Sequence, residues 1–461
     1  MTRVNYRALV ISLYVFAATV AISASAQTYT ELLNFNGTSA AGPQTALTQG
    51  IDGNLYGTTI YGGTGACTNG GIGCGIVFKI ARDRKLQILY NFQLGGPINP
   101  SNTLLLGRDG NLYGTTGGAI FKITPSGDFT VLYTFKGGTD GADPQGFIQG
   151  ADGNFYGTTP DGGAHSNSCP EGCGTVFKIT PAGVHTTLYS FCPQNYCPDG
   201  ENPKGALVQG PDGSFYGTTT YGGVYKEGTI FKITPKGEFT LLYTFDKDVP
   251  SGGLILGSDG NFYGASTYVL FQITPQGVYT ELVASTGLGL NTPVQGTDGN
   301  LYWTTDGLGS GRGALYEMPP DGQTASLLHS FVGYPSDGSD ATTSPVQATD
   351  GKFYGTTFTG GPYPCNYSFP GCGTIFSLDM GLSPFVAFVN RSGKVGQKVG
   401  ILGENFAGTS GVSINGTPAS FTVKSSTLLI TTVPAGATTG YLTVTTLNGT
   451  LTSNVAFYVI P

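Results

Sequence analysis

The side chains of this sequence that could do chemistry are mostly acidic residues, tyrosines and cysteines in glycine-rich segments. Three segments hold two acidic residues close together: Asp140 with Asp143, Asp199 with Glu201, and Asp337 with Asp340. Carboxylate oxygens on a turn are ligands that calcium accepts, which makes these six residues weak calcium candidates. Asp and Asn equally stabilise turns by bonding to their own backbone. Because no segment has the full spacing of a recognised calcium loop, the turn interpretation is preferred and no cofactor is predicted.

The eight cysteines form four close pairs along the chain: Cys67 with Cys74, Cys169 with Cys173, Cys192 with Cys197, and Cys365 with Cys372. An even number in an exported chain favours disulfides, and pairing in sequence order is the economical connectivity. Metal binding is the competing interpretation. Zinc sites usually use two well-spaced cysteine pairs or histidine, and His165, His185 and His329 are far apart in the sequence.

The sequence offers little material for a catalytic site. It has no recognisable Ser/His/Asp set, no paired catalytic carboxylates and no phosphate-binding loop. The net charge is −7 and the 21 basic residues are not clustered, so a nucleic-acid partner is not predicted. Charged residues make up only 11% of the 461 residues, whereas glycine occurs 75 times, which indicates a turn-rich β protein.

The first 26 residues have the pattern of a cleaved signal peptide. Arg3 and Arg7 precede an apolar run over residues 8–22, and Ala24-Ser25-Ala26 supplies the small residues of a cleavage site after Ala26. The apolar run is short for a bilayer, and no later stretch is long enough to span one. We therefore expect a mature chain without a transmembrane segment that is secreted, periplasmic or associated with the cell surface.

An eight-residue motif, Asp-Gly-Asn-Leu-Tyr-Gly-Thr-Thr at residues 52–59, is repeated along most of the chain. Six variants of it follow, beginning at Asp109, Asp152, Asp212, Asp259, Asp298 and Asp350. The period of about 50 residues is typical of solenoids, propellers and other arrays. Asp-Gly-Asn suits a tight hairpin turn, and Leu-Tyr-Gly-Thr-Thr suits a buried strand. Since every repeat has the aspartate, we interpret it as a turn residue rather than a catalytic one.

Each repeat has four predicted strands, named a to d, with the Asp-Gly turn between a and b. A d-like strand at residues 28–35 precedes the first repeat, and the last repeat ends after its c strand at residues 373–378. Pairing of these two segments would close a ring and remove its open sheet edges. The prediction is an all-β, seven-bladed β-propeller over residues 27–380, closed by the N-terminal strand.

Two features of the repeats vary in an informative way. A glutamine recurs on the innermost strand at residues 49, 149, 209, 295 and 347, which predicts a structural polar ring bonded to water near the channel. Trp303 replaces the usual glycine of strand b in the sixth repeat. We predict that it fills space between two blades.

The repeats resemble the bacterial GloVer, or choice-of-anchor, tandem repeat. The resemblance rests on the eight-residue motif, on Tyr-Gly-Gly at residues 61–63 and 221–223, and on Val-Phe-Lys-Ile-Thr. It covers most of residues 28–380. The family implies export and implies no agreed activity.

Residues 381–461 have a different pattern of short predicted strands. Gly403-Glu404-Asn405-Phe406 and the segments at 412–416 and 433–440 resemble an immunoglobulin-like IPT/TIG domain. The length fits a small β-sandwich. The resemblance implies a spacer or interaction module.

In such a propeller the variable b–c and d–a loops share one rim, and binding residues concentrate on variable loops held by a rigid scaffold. The candidate binding residues on this rim are Tyr61, Tyr196, Tyr221, Tyr225, Lys226, Tyr363 and Tyr367. The leading hypothesis is an exported binding, adhesion or scaffold protein whose partner is an extracellular glycan or an envelope protein. The alternatives are a propeller hydrolase or lyase acting on a carbohydrate or lactone, and a purely structural envelope protein.

Overall fold

The computed structural model describes residues 27–65, 67, 73–81, 83–164, 169–194, 196–284, 289–306, 312–322, 324–365 and 370–460. The predicted signal peptide and Tyr367 lie outside these residues. Within them, no helix has the length and apolar character needed to cross a bilayer.

Seven four-stranded antiparallel sheets form the larger part of the molecule. The chain begins with β1 (Thr28–Asn34). Blade 1 has β2 (Thr48–Gln49), β3 (Leu55–Thr59), β4 (Ile76–Ile80) and β5 (Leu86–Asn91). Blade 2 has β6 (Leu105–Leu106), β7 (Leu112–Thr116), β8 (Ala119–Ile123) and β9 (Phe129–Thr134). Blade 3 has β10 (Phe147–Gln149), β11 (Phe155–Thr159), β12 (Thr175–Ile179) and β13 (His185–Ser190), preceded by a 3-10 turn at Gly138–Asp140.

The remaining blades follow the same order. Blade 4 has β14 (Glu201–Gln209), β15 (Phe215–Tyr221), β16 (Thr229–Ile233) and β17 (Phe239–Thr244). Blade 5 has β18 (Ile255–Leu256), β19 (Phe262–Ala265), β20 (Val269–Ile273) and β21 (Tyr279–Ala284). Blade 6 has β22 (Val294–Gln295), β23 (Leu301–Thr305), β24 (Ala314–Met318) and β25 (Ser326–Ser330). Next come β26 (Gly338–Ser339), β27 (Val346–Gln347), β28 (Phe353–Thr357), β29 (Thr359–Gly360) and β30 (Thr374–Asp379).

The N-terminal strand closes the ring, as predicted. Blade 7 consists of β27, β28, β30 and β1, while β26 and β29 form a short separate ribbon. The pairing of β1 with β30 runs antiparallel from Thr28 opposite Asp379 to Asn34 opposite Thr374. The seven-bladed all-β fold predicted from the repeats is therefore confirmed.

The blades pack because strands b and c are apolar on both faces. In blade 3, all of β11 is buried and β12 has one half-buried residue, Lys178. The strand-b glycine makes room for a strand-c aromatic ring: a Cβ on Gly157 would lie 2.6 Å from Cζ of Phe177. In blade 6, Trp303 takes the place of the strand-b glycine and Tyr316 that of the strand-c phenylalanine, and their rings stack with centroids 5.6 Å apart. Trp303 is fully buried in a cluster with blade 5 residues, which confirms its predicted packing role.

The Asp-Gly-Asn part of the eight-residue motif forms a hydrogen-bonded turn between strands a and b. In blade 3, Asp152 Oδ1 accepts from the Asn154 backbone N–H at 3.1 Å, and Oδ2 accepts from the Tyr156 hydroxyl at 2.8 Å. The same bond from tyrosine to aspartate recurs through Tyr56, Tyr113, Tyr216, Tyr263, Tyr302 and Tyr354. The seven aspartates are turn residues, and each also satisfies a tyrosine hydroxyl at the blade interface.

The glutamine ring connects neighbouring blades. Gln209 Oε1 accepts from the Ala151 backbone N–H of the preceding blade at 2.9 Å, and its Nε2 donates to Gly213 O in its own turn. Equivalent inter-blade bonds are made by Gln49, Gln149, Gln295 and Gln347. The glutamines therefore join adjacent blades through backbone groups, which agrees with the predicted structural role.

Residues 387–460 form a β-sandwich. Its strands are β31 (Ala387–Phe388), β32 (Ser392–Lys394), β33 (Lys398–Leu402), β34 (Gly411–Ile414), β35 (Thr417–Pro418), β36 (Phe421–Val423), β37 (Leu428–Thr432), β38 (Leu442–Thr446), β39 (Gly449–Thr452) and β40 (Tyr458–Ile460). One sheet has the order β31-β33-β37-β36 and the other β35-β34-β38-β39, with β32 and β40 as a parallel pair. A single core containing Ile401, Phe406 and Leu442 lies among these strands.

The sandwich rests on the propeller rim that carries the a–b turns, which we name the turn rim. Thr427 Oγ1 donates to Ile51 O at 2.9 Å, and Thr349 Oγ1 donates to Glu404 Oε1 at 2.8 Å. Asn390 Nδ2 also donates to Gln149 O at 3.1 Å. These contacts cover part of the turn rim and leave the opposite rim free of the IPT/TIG domain.

Candidate functional site

The rim formed by the b–c and d–a loops, which we name the loop rim, is held rigid by contacts between those loops. In blade 4 the Gly223 backbone N–H donates to Cys197 O at 2.8 Å. A Cβ on Gly222 would lie 2.6 Å from Gly200 Cα, which explains why the Tyr-Gly-Gly motif needs glycine there. Equivalent bonds join the loops through Gly63, Gly163 and Gly361. The glycines of the Tyr-Gly-Gly motif therefore allow the b–c and d–a loops to pack against each other.

The four predicted disulfides are present on this rim. Cys169–Cys173 and Cys192–Cys197 come from loops of neighbouring blades, and their sulfur atoms lie within 4.8 Å of one another and of a Glu201 carboxylate oxygen. Because the sulfurs are bonded in pairs, the cluster consists of two packed disulfides rather than four thiolates. Cys173, Cys192 and Cys197 are buried, so these bridges lie under the loop surface.

The first aspartate of each acidic segment accepts hydrogen bonds from within the protein. Asp140 accepts from the Tyr133 hydroxyl at 2.6 Å and the Lys136 backbone N–H at 2.8 Å. Asp199 accepts from the Tyr189 hydroxyl at 2.8 Å. These bonds tie each d–a loop to the strand d that precedes it.

Asp337 makes the fullest set of such bonds. His329 Nε2 lies 2.8 Å from Oδ2, and the Tyr29 hydroxyl donates to Oδ1 at 3.1 Å. Burial alone would raise the pKa of Asp337, but hydrogen bonds from His329 and the Val332 backbone N–H lower it below its usual value. By contrast, burial raises the pKa of Asp199. Asp337 is thus stabilised as an anion by protein donors alone.

The second acidic residues are placed differently. Asp340 Oδ2 accepts from the Thr359 hydroxyl at 2.6 Å, and Glu201 lies opposite Tyr221 in the sheet of blade 4. Burial, followed by the charge of Asp161, raises the pKa of Asp143. The two acids of each segment therefore have separate environments.

This arrangement yields a prediction about calcium. Because Asp140, Asp199 and Asp337 already accept protein hydrogen bonds, we expect about 5 mM calcium to change Tm by less than about 1 °C, since only a ligand of the folded state raises stability. Differential scanning fluorimetry with magnesium as the control measures this. A rise of several degrees that EDTA reverses and Asp143→Asn removes would contradict the expectation.

The structure gives the predicted rim residues unequal exposure. Tyr196 is 82% exposed, Tyr225 60%, Tyr221 51% and Tyr363 49%. Lys226 is exposed, whereas Tyr61 is half-buried and its backbone pairs with that of Ala41. Tyr363 is in a loop of blade 7, far along the chain from the blade 4 residues.

Three of these tyrosines share blade 4. Tyr196 is in its d–a loop, Tyr221 is the last residue of β15, and Tyr225 is in the b–c loop that follows. The Gly223 bond joins the d–a and b–c loops. Val224, which we did not predict, is 72% exposed beside them. We name Tyr196, Tyr221, Val224, Tyr225 and Lys226 the blade-4 patch. The sequence signal for Val224 was an apolar residue inside a Tyr-Gly-Gly-Val-Tyr-Lys loop that has no strand pattern.

The chain carries two known modules. A model of the Gloeobacter/Verrucomicrobia repeat matches residues 116–296, and a model of the IPT/TIG domain matches residues 384–459. Both predicted resemblances are confirmed. No curated protein sequence matches the chain.

Several solved structures share the fold at low identity. A streptogramin B lyase is 16% identical with a TM-score of 0.53, and the match covers 76% of this chain and 97% of the lyase. A catalytically inactive virginiamycin B lyase from Staphylococcus aureus, solved with quinupristin, is 18% identical with a TM-score of 0.54 over 76% and 99%. The extracellular domain of a B. thetaiotaomicron protein described as a one component system is 11% identical with a TM-score of 0.50 over 94% and 58%. At these identities the likeness concerns the fold alone.

Proposed function

We propose that this chain is an exported binding protein that holds an extracellular glycan on its blade-4 patch. The observation that supports this most directly is the exposure of three tyrosines and a valine on two segments of blade 4 that a backbone hydrogen bond joins. The Cys192–Cys197 disulfide closes one of these segments. Exposed apolar groups concentrated on one surface are typical of a binding site. The Cys192–Cys197 bridge and the paired loops reduce the conformational entropy lost when a partner binds.

Tyrosine suits a carbohydrate ligand for chemical reasons. Its ring presents an apolar face to the C–H groups of a sugar, and its hydroxyl donates or accepts hydrogen bonds with sugar hydroxyls. Tyr196, Tyr221 and Tyr225 would supply these faces, and Lys226 would bond to a hydroxyl or carboxylate of the glycan. The IPT/TIG domain contacts the turn rim and so does not obstruct this side of the ring for a large polymer.

A glycan array followed by calorimetry tests the proposal. Replacing Tyr196, Tyr221 and Tyr225 together with alanine is expected to weaken binding by at least about 100-fold, because interface tyrosines contribute about 1 kcal/mol or more each. Tm should change little, since these side chains are exposed. Tyr441→Ala, at an exposed tyrosine of the IPT/TIG domain, is the matched control and should bind normally.

The same assay separates the alternatives. Release of a shorter product during incubation would indicate a hydrolase, and release of an unsaturated product would indicate a lyase. If no glycan binds, or the triple variant binds as tightly as the parent chain, the blade-4 patch is not a glycan site. A structural envelope role would then be favoured.

A further inference from the structure

A second site lies on the other side of the ring, where the IPT/TIG domain meets the central channel. A partly open cavity of about 430 Å³ is lined there by the innermost strands of blades 2 to 6 and by residues 387–392, 454, 455 and 458. Its walls are mainly apolar and include Leu106, Ile148, Val208 and Leu256. Both the size and the mostly apolar lining are typical of small-molecule pockets.

One charged side chain, Arg391, lines this cavity. Its Nη1 donates to Leu256 O at 3.2 Å, and its guanidinium carbon lies 5.9 Å from the centre of the Tyr458 ring. Its Nε and Nη2 are buried without any acceptor among the described residues. No ion pair joins Arg391 to a carboxylate in the described part of the chain.

The surroundings of Arg391 are unfavourable for its charge. Burial lowers the pKa of Arg391, although a guanidinium stays protonated in proteins. A buried charge without a counter-ion destabilises the folded state. Arg108 at the same interface differs in degree: burial also lowers its pKa and its Nε has no acceptor among the described residues. However, its Nη2 donates to Gly150 O and Ala151 O, and the charge of Asp152 partly offsets the effect of burial.

The two nitrogens without acceptors point to a specific ligand group. Nε–H and Nη2–H lie side by side on one edge of a guanidinium and match the two oxygens of a carboxylate. We propose that this cavity binds a small carboxylate with an apolar body, whose carboxylate pairs with Arg391 and whose body contacts the leucine, isoleucine and valine walls. Because both nitrogens are closed to solvent in the structure, the proposal requires the Arg391 side chain to turn toward the cavity when the ligand enters.

A matched pair of probes tests both halves of the site. Isothermal titration of the whole exported chain with octanoate is expected to show one saturable site, at least about tenfold tighter than for 1-octanol, which lacks the charge. Arg391→Met should remove this tenfold preference and leave octanol binding unchanged. Lys394→Gln, at an exposed cation of the same domain, is the control and should bind octanoate as the parent chain does.

Several results would overturn the proposal. Equal affinity for octanoate and octanol would remove the role of the charge, and this comparison needs no variant, so it stands even if Arg391→Met fails to fold. Undiminished octanoate binding by Arg391→Met would also contradict it. If inorganic phosphate binds as tightly as octanoate, the apolar body has no role. The triple tyrosine variant should bind octanoate normally, which separates this site from the blade-4 patch.

Discussion

A chain that lacks residues 27–35 is expected to melt at least about 6 °C below the intact protein, or to aggregate. Strand β1 supplies the whole outer edge of blade 7, and the Phe35 backbone N–H extends the pairing by donating to Gly373 O at 3.0 Å. Tyr29 also stacks on His329 of blade 6 at 3.7 Å. Loss of these contacts, together with exposure of Ile375 and Phe376, corresponds to about 5 kcal/mol or more. Scanning calorimetry and size-exclusion chromatography measure the effect.

A covalent closure provides the complementary test. Thr30 and Ser377 are paired residues of β1 and β30. Thr30→Cys with Ser377→Cys should form a fifth disulfide and raise Tm above that of either single variant, because the bond restricts the unfolded chain across almost the whole propeller. Failure of this pair to crosslink, together with an unchanged Tm after the deletion, would show that β1 does not complete blade 7.

The propeller could be predicted because each blade is specified by short sequence motifs that recur along the chain. The Asp-Gly turn, the buried Tyr-Gly-Thr-Thr strand and the unpaired d strand at residues 28–35 can be counted along the sequence. The strand at residues 28–35 and the last repeat each lack a partner strand, so pairing them removes both exposed sheet edges. The disulfides were also predictable, since each joins cysteines only four to seven positions apart.

The site could be predicted only in outline. The pattern predicted the loop rim, but the concentration of exposed side chains on blade 4 depends on how its two loops pack, which no spacing reveals. The position of the IPT/TIG domain depends on contacts such as Arg391 to Leu256, which are 135 residues apart. A single arginine in a β-domain has no distinctive sequence pattern. The tyrosine four residues after each aspartate was visible, but we assigned it to a strand and missed its hydroxyl bond.

Those repeated tyrosines lead to the second large effect, unfolding in alkali between about pH 10 and 12. Burial, together with the hydrogen bond to Asp259, raises the pKa of Tyr263 to about 12. Burial likewise raises the pKa of Tyr56, Tyr113, Tyr156, Tyr216 and Tyr302. In the unfolded chain a tyrosine hydroxyl ionises near pH 10.

The sign of the effect follows from this difference. The folded state keeps these protons to higher pH than the unfolded state does, so their contribution to stability is complete below about pH 10 and is lost as the pH rises toward the folded values. Six equivalent groups lose their protons together on unfolding, which makes the transition steep. Absorbance at 295 nm, which reports tyrosinate, should therefore rise together with the loss of far-ultraviolet circular dichroism.

Two phenylalanine variants distinguish buried from exposed tyrosines. Tyr156→Phe should reduce the number of protons released in the unfolding transition by about one, because one raised hydroxyl is removed. Tyr221→Phe, at a side chain that is 51% exposed, is the surface control for the substitution. If all 26 tyrosines ionise in a single smooth step near pH 10 while the circular dichroism stays constant, the hydroxyls are accessible and the bonds from tyrosine to aspartate do not hold the turn rim together.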